Sequence, residues 1–144
     1  MNYSVSNVIN RPLKEVIDKF TNQEGAKEWM LGLQTIDNIS GKPYELGAKT
    51  DFHFLHKNKE MKISETVLEE NLPDQIKFSY ESPMGYNEVE MRFEQLADGS
   101  TRQTNNSYFK FGGIMKYFAF LMKGMFKKQS LTYLNGFKAY VESH

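Results

Sequence analysis

Chemistry in this chain would have to come from a few polar side chains set among large apolar ones. Glu65 falls in register with Met61, Ile63 and Val67 at alternate positions, so a strand there turns it the same way as its apolar neighbours. A carboxyl facing a dry interior resists ionisation and can serve as a general acid or base; a one-residue bulge would instead turn it to the rim or the surface. Farther along, TRQTNNSYFKF (Thr101 to Phe111) carries Gln103, Asn105 and Ser107 on one face and Arg102, Thr104 and Asn106 on the other. Either choice places amide and hydroxyl groups under whatever covers the strand, where they need ordered water or a ligand's polar end as partner. The strand runs directly into a long helical pattern, Gly112 to Glu142. A helix laid across a curved sheet, with polar groups between the two, makes a cavity candidate.

Other chemistries find little support. The chain has no cysteine, which removes disulfides, thiolate nucleophiles and Cys-ligated metals and suits a reducing compartment. His53 and His56 stand three apart on a strand, hence on opposite faces, and with His144 they lack metal-ligand spacing, so no metal and no cofactor is expected. No HExxH, GxSxG, glycine-rich phosphate loop or serine with a paired base occurs, which leaves nucleophilic hydrolysis and nucleotide use without a basis.

The elements that must hold these residues are legible from their periods. Tyr3, Val5 and Ile9 alternate with polar residues as in a half-buried strand, which Arg11-Pro12 ends. Proline opens a short helix on which Leu13, Val16, Ile17 and Phe20 share a face, and Thr21 with Glu24 has capping-box spacing for a second one ending near Trp29. Trp29 then either anchors this elbow or lines a cavity mouth. From Leu33 to Lys110 turn signals recur at Gly41 to Gly47, His56 to Glu60, Asn71 to Asp74, Ser82 to Gly85 and Ala97 to Ser100. Six strands lie between and beside them, and such short connections favour antiparallel neighbours. On the last helix Ile114, Phe118, Leu121, Met122, Met125 and Phe126 read as one inward face, with Lys116, Lys123 and Lys127 opposite. After Gln129 the apolar stripe moves round to Tyr133, Leu134, Phe137, Tyr140 and Val141, as if the helix bent or met a different surface. Gly112-Gly113 reads as the turn into it.

Length and charge limit the setting. With 144 residues the chain fits one domain over residues 1–144, and equal numbers of basic and acidic residues leave no global field to attract nucleic acid or an anionic membrane, only room for a local patch. Ile114 to Phe126 is the only membrane-like stretch, but it is shorter than the ~20 apolar residues a span requires and carries two lysines. The polar opening NYSVSNVIN has no signal-peptide pattern, so a cytoplasmic monomer without integral membrane association is the expectation.

In this order and spacing the segments resemble the START-like, or SRPBCC, superfamily with its helix-grip fold, most nearly the polyketide cyclase/dehydrase and lipid-transport branch. The matching pieces are VINRPLKEVIDKF (Val8 to Phe20), EWM (Glu28 to Met30), Ile36 to Lys49, Glu65 to Phe78, DGST (Asp98 to Thr101) and FKAYVE (Phe137 to Glu142). The resemblance covers nearly the whole chain. It implies an α+β fold, seven antiparallel strands curved around a long C-terminal helix, and a cavity between sheet and helix. Period two then assigns Phe52, Phe54, Ile63, Phe78, Tyr80 and Met91 to that cavity; Gln103, Asn105 and Ser107 are the face of the last strand expected to meet a ligand, and the apolar face of the helix adds Phe118, Met122 and Phe126. The outer face of one strand would be the charged row Glu88, Glu90, Arg92 and Glu94. The family implies a carrier or sensor of a lipid or aromatic, polyketide-like metabolite. Its alternatives are a cyclase- or dehydratase-like enzyme using Glu65 or a tyrosine, and an interaction module like the heat-shock ATPase activators, with its interior filled by side chains.

Overall fold

Seven alternating segments pair into one antiparallel sheet whose order is β1-β7-β6-β5-β4-β3-β2. The computed structural model describes residues 1–111 and 115–144. The strands are β1 (Asn2–Ile9), β2 (Leu33–Ser40), β3 (Lys49–His56), β4 (Lys59–Asn71), β5 (Gln75–Ser82), β6 (Gly85–Gln95) and β7 (Thr101–Lys110). From β2 to β7 the chain meanders, each turn falling where the Gly, Pro and Asn clusters place it. β1 then closes on β7, so β1 and β2 are opposite edges of the sheet. The chain crosses between those edges through α1 (Leu13–Phe20), a 3-10 turn (Gln23–Gly25) and α2 (Ala26–Trp29).

Local chemistry explains the elbow and corrects one detail. Thr21 does not cap the second helix; its Oγ1 donates back to Ile17 O at 2.9 Å, and Asn22 Oδ1 accepts from Glu24 N at 3.1 Å instead. The elbow presses hard on α3 (Met115–Ser143): a Cβ on Gly25 would overlap the Tyr140 hydroxyl, so only glycine allows this approach.

The concave face holds the core. Ile9, Val67, Ile76, Phe78, Met91 and Phe93 from the sheet meet Val16 from α1 and Leu134, Phe137, Tyr140 and Val141 from α3. Phe20 sits among four other aromatic rings, its centroid 5.1 Å from Phe93 and 5.9 Å from Phe137. The convex face is wet and paired by charge: Lys77 lies 3.2 Å from Glu88, Arg92 2.9 Å from Glu90 and Arg102 3.9 Å from Glu94. His53 is on this side as well, 2.9 Å from Asp37.

The 29 residues of α3 give it a length of about 43 Å. Its inward stripe runs unbroken as Ala119, Met122, Phe126, Ser130, Leu134, Phe137 and Val141, spaced three or four apart. The expected rotation of the stripe after Gln129 is therefore absent. Small Ala119 and polar Ser130 keep the line that a search for large apolar residues breaks. Phe118, Leu121 and Met125, expected inward, are 50%, 67% and 56% exposed. Ile114 and the Gly112-Gly113 turn lie outside the described residues.

Candidate ligand cavity

Between the sheet's concave face, the elbow and the second half of α3 is a cavity of about 280 Å³. Ligand pockets usually span ~300–1,000 Å³, so this one suits a small occupant. Its walls are mostly rings and aliphatic chains, including Phe20, Trp29, Phe52, Phe54, Ile63, Phe78, Val89, Met91 and Phe137. Period two accounts for those on the sheet: Phe52 pairs with Ile63 across β3 and β4, and Phe78 with Val89 across β5 and β6, so each pair points to one side.

Glu65 belongs to the same wall. It stands opposite Thr50 on one side and Tyr80 on the other, and it is buried at 8% exposure. A register shift does occur in β4, but between Val67 and Glu69, beyond the position where it would turn Glu65 outward. The Tyr80 hydroxyl donates to Glu65 Oε2 at 2.8 Å, and among the described residues it is the carboxyl's only hydrogen-bond partner. Burial pushes the Glu65 pKa up to about 7, with the Tyr80 bond pulling partly the other way. Burial, and then the charge of Glu65, raise the phenol of Tyr80 well above its ordinary range; Tyr44 is raised by the same two causes in the same order.

A second polar group lies on β7. The structure turns Gln103, Asn105 and Ser107 inward and Arg102, Thr104 and Asn106 away. Gln103, 1% exposed, donates from Nε2 to Leu134 O at 2.9 Å, while its Oε1 has no partner among the described residues. Ser107 Oγ donates to Asn105 Oδ1 at 2.5 Å. Tyr3 and Ser130 share a hydrogen bond of 2.6 Å where β1 meets α3.

The sheet residues expected in the cavity, Phe52, Phe54, Ile63, Phe78, Tyr80, Met91, Gln103, Asn105 and Ser107, all line it, and so does Glu65. The three helix residues do not. Phe126 is buried against Phe109 at 4.7 Å and Phe111 at 6.1 Å between centroids, Met122 lies on the same inward stripe toward the start of α3, and Phe118 faces outward. The helix contributes Gln129, Ser130, Tyr133, Leu134 and Phe137 instead, one to three turns farther along. Trp29 lines the cavity and packs on α3 through Phe137 at 5.1 Å.

Sequence reading also missed Tyr44. It sits in the loop between β2 and β3 with φ of 67°, a conformation that bulky residues seldom adopt, yet its ring borders the cavity 5.9 Å from Phe20. The signal was available as a lone aromatic inside the Gly/Pro turn GKPYELG.

No family model matches the sequence, and no curated protein is similar to it in sequence. Its backbone is similar to that of Ara h 8.0201, with a TM-score of 0.79 at 12% identity over 100% of this chain and 99% of the other. It is similar to TTHA0849 from Thermus thermophilus, with a TM-score of 0.76 at 14% identity over 99% and 98% of the two chains. The Zhui aromatase/cyclase from Streptomyces sp. R1128 gives a TM-score of 0.75 at 11% identity over 99% and 93%. Identity this low speaks to backbone alone, and at that level the likeness runs over nearly the whole of each chain: this chain has the helix-grip fold.

Proposed function

We propose that this protein binds one small, mainly hydrophobic molecule, such as a lipid fragment or an aromatic metabolite, between sheet and α3, as a carrier or sensor. The observation that carries this reading is a cavity walled by apolar side chains with a single buried carboxyl, Glu65, bonded on one oxygen only. Burial of apolar ligand surface would supply the driving force, at ~25 cal/mol per Å². Glu65 and Tyr80 would orient the ligand's polar end, with Gln103, Asn105 and Ser107 facing it from β7. An interaction module with an interior filled by side chains has less support, because about 280 Å³ stays open. Native mass spectrometry of protein purified from cells tests the proposal: a co-purified mass released on denaturation supports it. An empty protein that also ignores a broad panel of hydrophobic probes contradicts it.

One observation favours a second reading, a cyclase- or dehydratase-like enzyme acting on a polyketide-type carbonyl compound. A carboxyl with a pKa near 7 beside a phenol 2.8 Å away can take or give a proton in a water-poor site. The likeness to an aromatase/cyclase is consistent with that use. Under this reading Glu65→Gln abolishes turnover of a candidate substrate while the fold is retained, and unchanged turnover removes Glu65 from the mechanism.

A further inference from the structure

The first half of α3 is apolar on the side that faces away from the protein. Tyr117, Phe118, Phe120, Leu121 and Met125 are 77%, 50%, 74%, 67% and 56% exposed. At 100° per residue they fall within one arc of about 160°, opposite the stripe of Ala119, Met122 and Phe126 that packs inward. Five large apolar side chains within nine residues form a contiguous patch rather than scattered single exposures.

Charge says what covers it. Lys123 and Lys127 border the arc on one side, Lys128 lies within it, and all three are exposed. Between Gly99 and Val141 the sequence has seven basic residues and no acidic one, whereas residues 1–98 have eleven basic and seventeen acidic. Charge is thus uneven along the sequence; Arg102 and Lys138 are paired with Glu94 and Glu142, while Lys123, Lys127 and Lys128 beside the patch have no ion-pair partner among the described residues. A second copy seated on this patch would bring lysines against lysines. Nucleic acid would use the lysines but leave the apolar side chains in water. A bilayer surface with anionic headgroups satisfies both, taking Phe and Leu side chains into the headgroup and acyl boundary and the ammonium groups against phosphate and carboxylate.

We propose that the first half of α3 docks this protein reversibly on an anionic lipid surface, lying in the plane of the interface. No described helix is long and apolar enough to cross a membrane. The docking does not depend on what the cavity holds.

Co-sedimentation of the full chain with phosphatidylcholine vesicles, with and without phosphatidylserine, tests it. The chain is expected to sediment with the serine-containing vesicles and to be released by salt. The pair Lys123→Glu and Lys127→Glu should weaken partitioning by about tenfold or more, and so should the pair Phe120→Ser and Leu121→Ser. Both variants keep the parent's circular dichroism and thermal unfolding, because the altered side chains are exposed. Absence of binding, equal binding to both vesicle types, or insensitivity to both variants overturns the proposal. So does self-association in analytical ultracentrifugation that the Phe120→Ser, Leu121→Ser variant abolishes.

Discussion

Tyr80 donates its phenolic hydrogen to Glu65 across 2.8 Å inside a mainly apolar cavity, and the two residues are direct partners on neighbouring strands. Strand register alone therefore brings an acid and a phenol together. Everything distinctive about the site follows from that pairing and from the burial that holds Glu65 near pKa 7.

Burial of Glu65 makes stability depend on pH in a defined direction. The folded-state pKa of about 7 lies above the ordinary 4.5, so between those values the folded protein holds the proton more tightly than the unfolded chain. Stability contributed by the protonated form is complete below pH ~4.5 and lost as pH rises through about 7, a loss of about 3 kcal/mol. The surface carboxyls Glu88, Glu90 and Glu142 have lowered pKa values and act in the opposite sense at more acid pH. Urea unfolding between pH 5 and pH 8 thus isolates Glu65. Glu65→Gln should be more stable than the parent by up to about 3 kcal/mol at pH 8 and show a flatter profile. Parallel profiles for the two proteins would refute the assignment.

Removing the phenol tests the pair from the other side. Tyr80→Phe deletes the hydrogen bond that lowers the Glu65 pKa, while leaving the ring and the desolvation in place. The Glu65 carboxyl, followed by carbon-13 NMR, should then titrate higher than in the parent. A lower or unchanged midpoint would show that Tyr80 does not bond the ionised carboxylate.

The sheet half of the cavity was legible in the sequence and the helix half was not. In a strand, alternation fixes the side to which Phe52, Ile63 or Met91 points, and the turns at Gly41 to Gly47 and Ser82 to Gly85 fix the register. Glu65 kept its inward orientation because the β4 bulge falls after Val67. On α3 large apolar groups occur all the way round, so size could not tell Phe126, which is buried, from Phe118, which is half exposed. Phe109, stacked on Phe126, and Phe111, tilted against it, settle that choice through a long-range contact that no local period contains. Tyr44 stood out as the lone aromatic of its turn but was missed for a related reason, since a turn signal says nothing about where one ring in the turn will point.

Placement on α3 separates stability from binding. Phe126→Ala removes a ring stacked on Phe109 and packed at a tilt against Phe111, and should cost about 3 kcal/mol or more in chemical denaturation. Probe affinity per folded molecule should stay unchanged, because Phe126 is not among the cavity walls. Phe118→Ala should change stability by no more than ~0.5 kcal/mol. Equal losses in the two variants would contradict the orientation of the helix.

Gln103 is half satisfied, with Nε2 bonded to Leu134 O and Oε1 buried without a partner among the described residues. Gln103→Leu loses one hydrogen bond and relieves one desolvated acceptor, so its net cost should stay under ~1 kcal/mol. Thermal unfolding at neutral pH measures this. A cost of several kcal/mol would mean that Oε1 has a partner, such as an ordered water.

The most direct test of the central claim is amide chemical-shift mapping with a neutral naphthol as probe. Binding between sheet and helix predicts saturable shifts at Phe54, Ile63, Tyr80, Asn87 and Ser107, and along α3 from Gln129 to Phe137. Those shifts should weaken in Glu65→Gln if the carboxyl orients the probe. No shifts at saturating probe, or shifts confined to Tyr117 through Met125, would contradict a ligand-binding cavity.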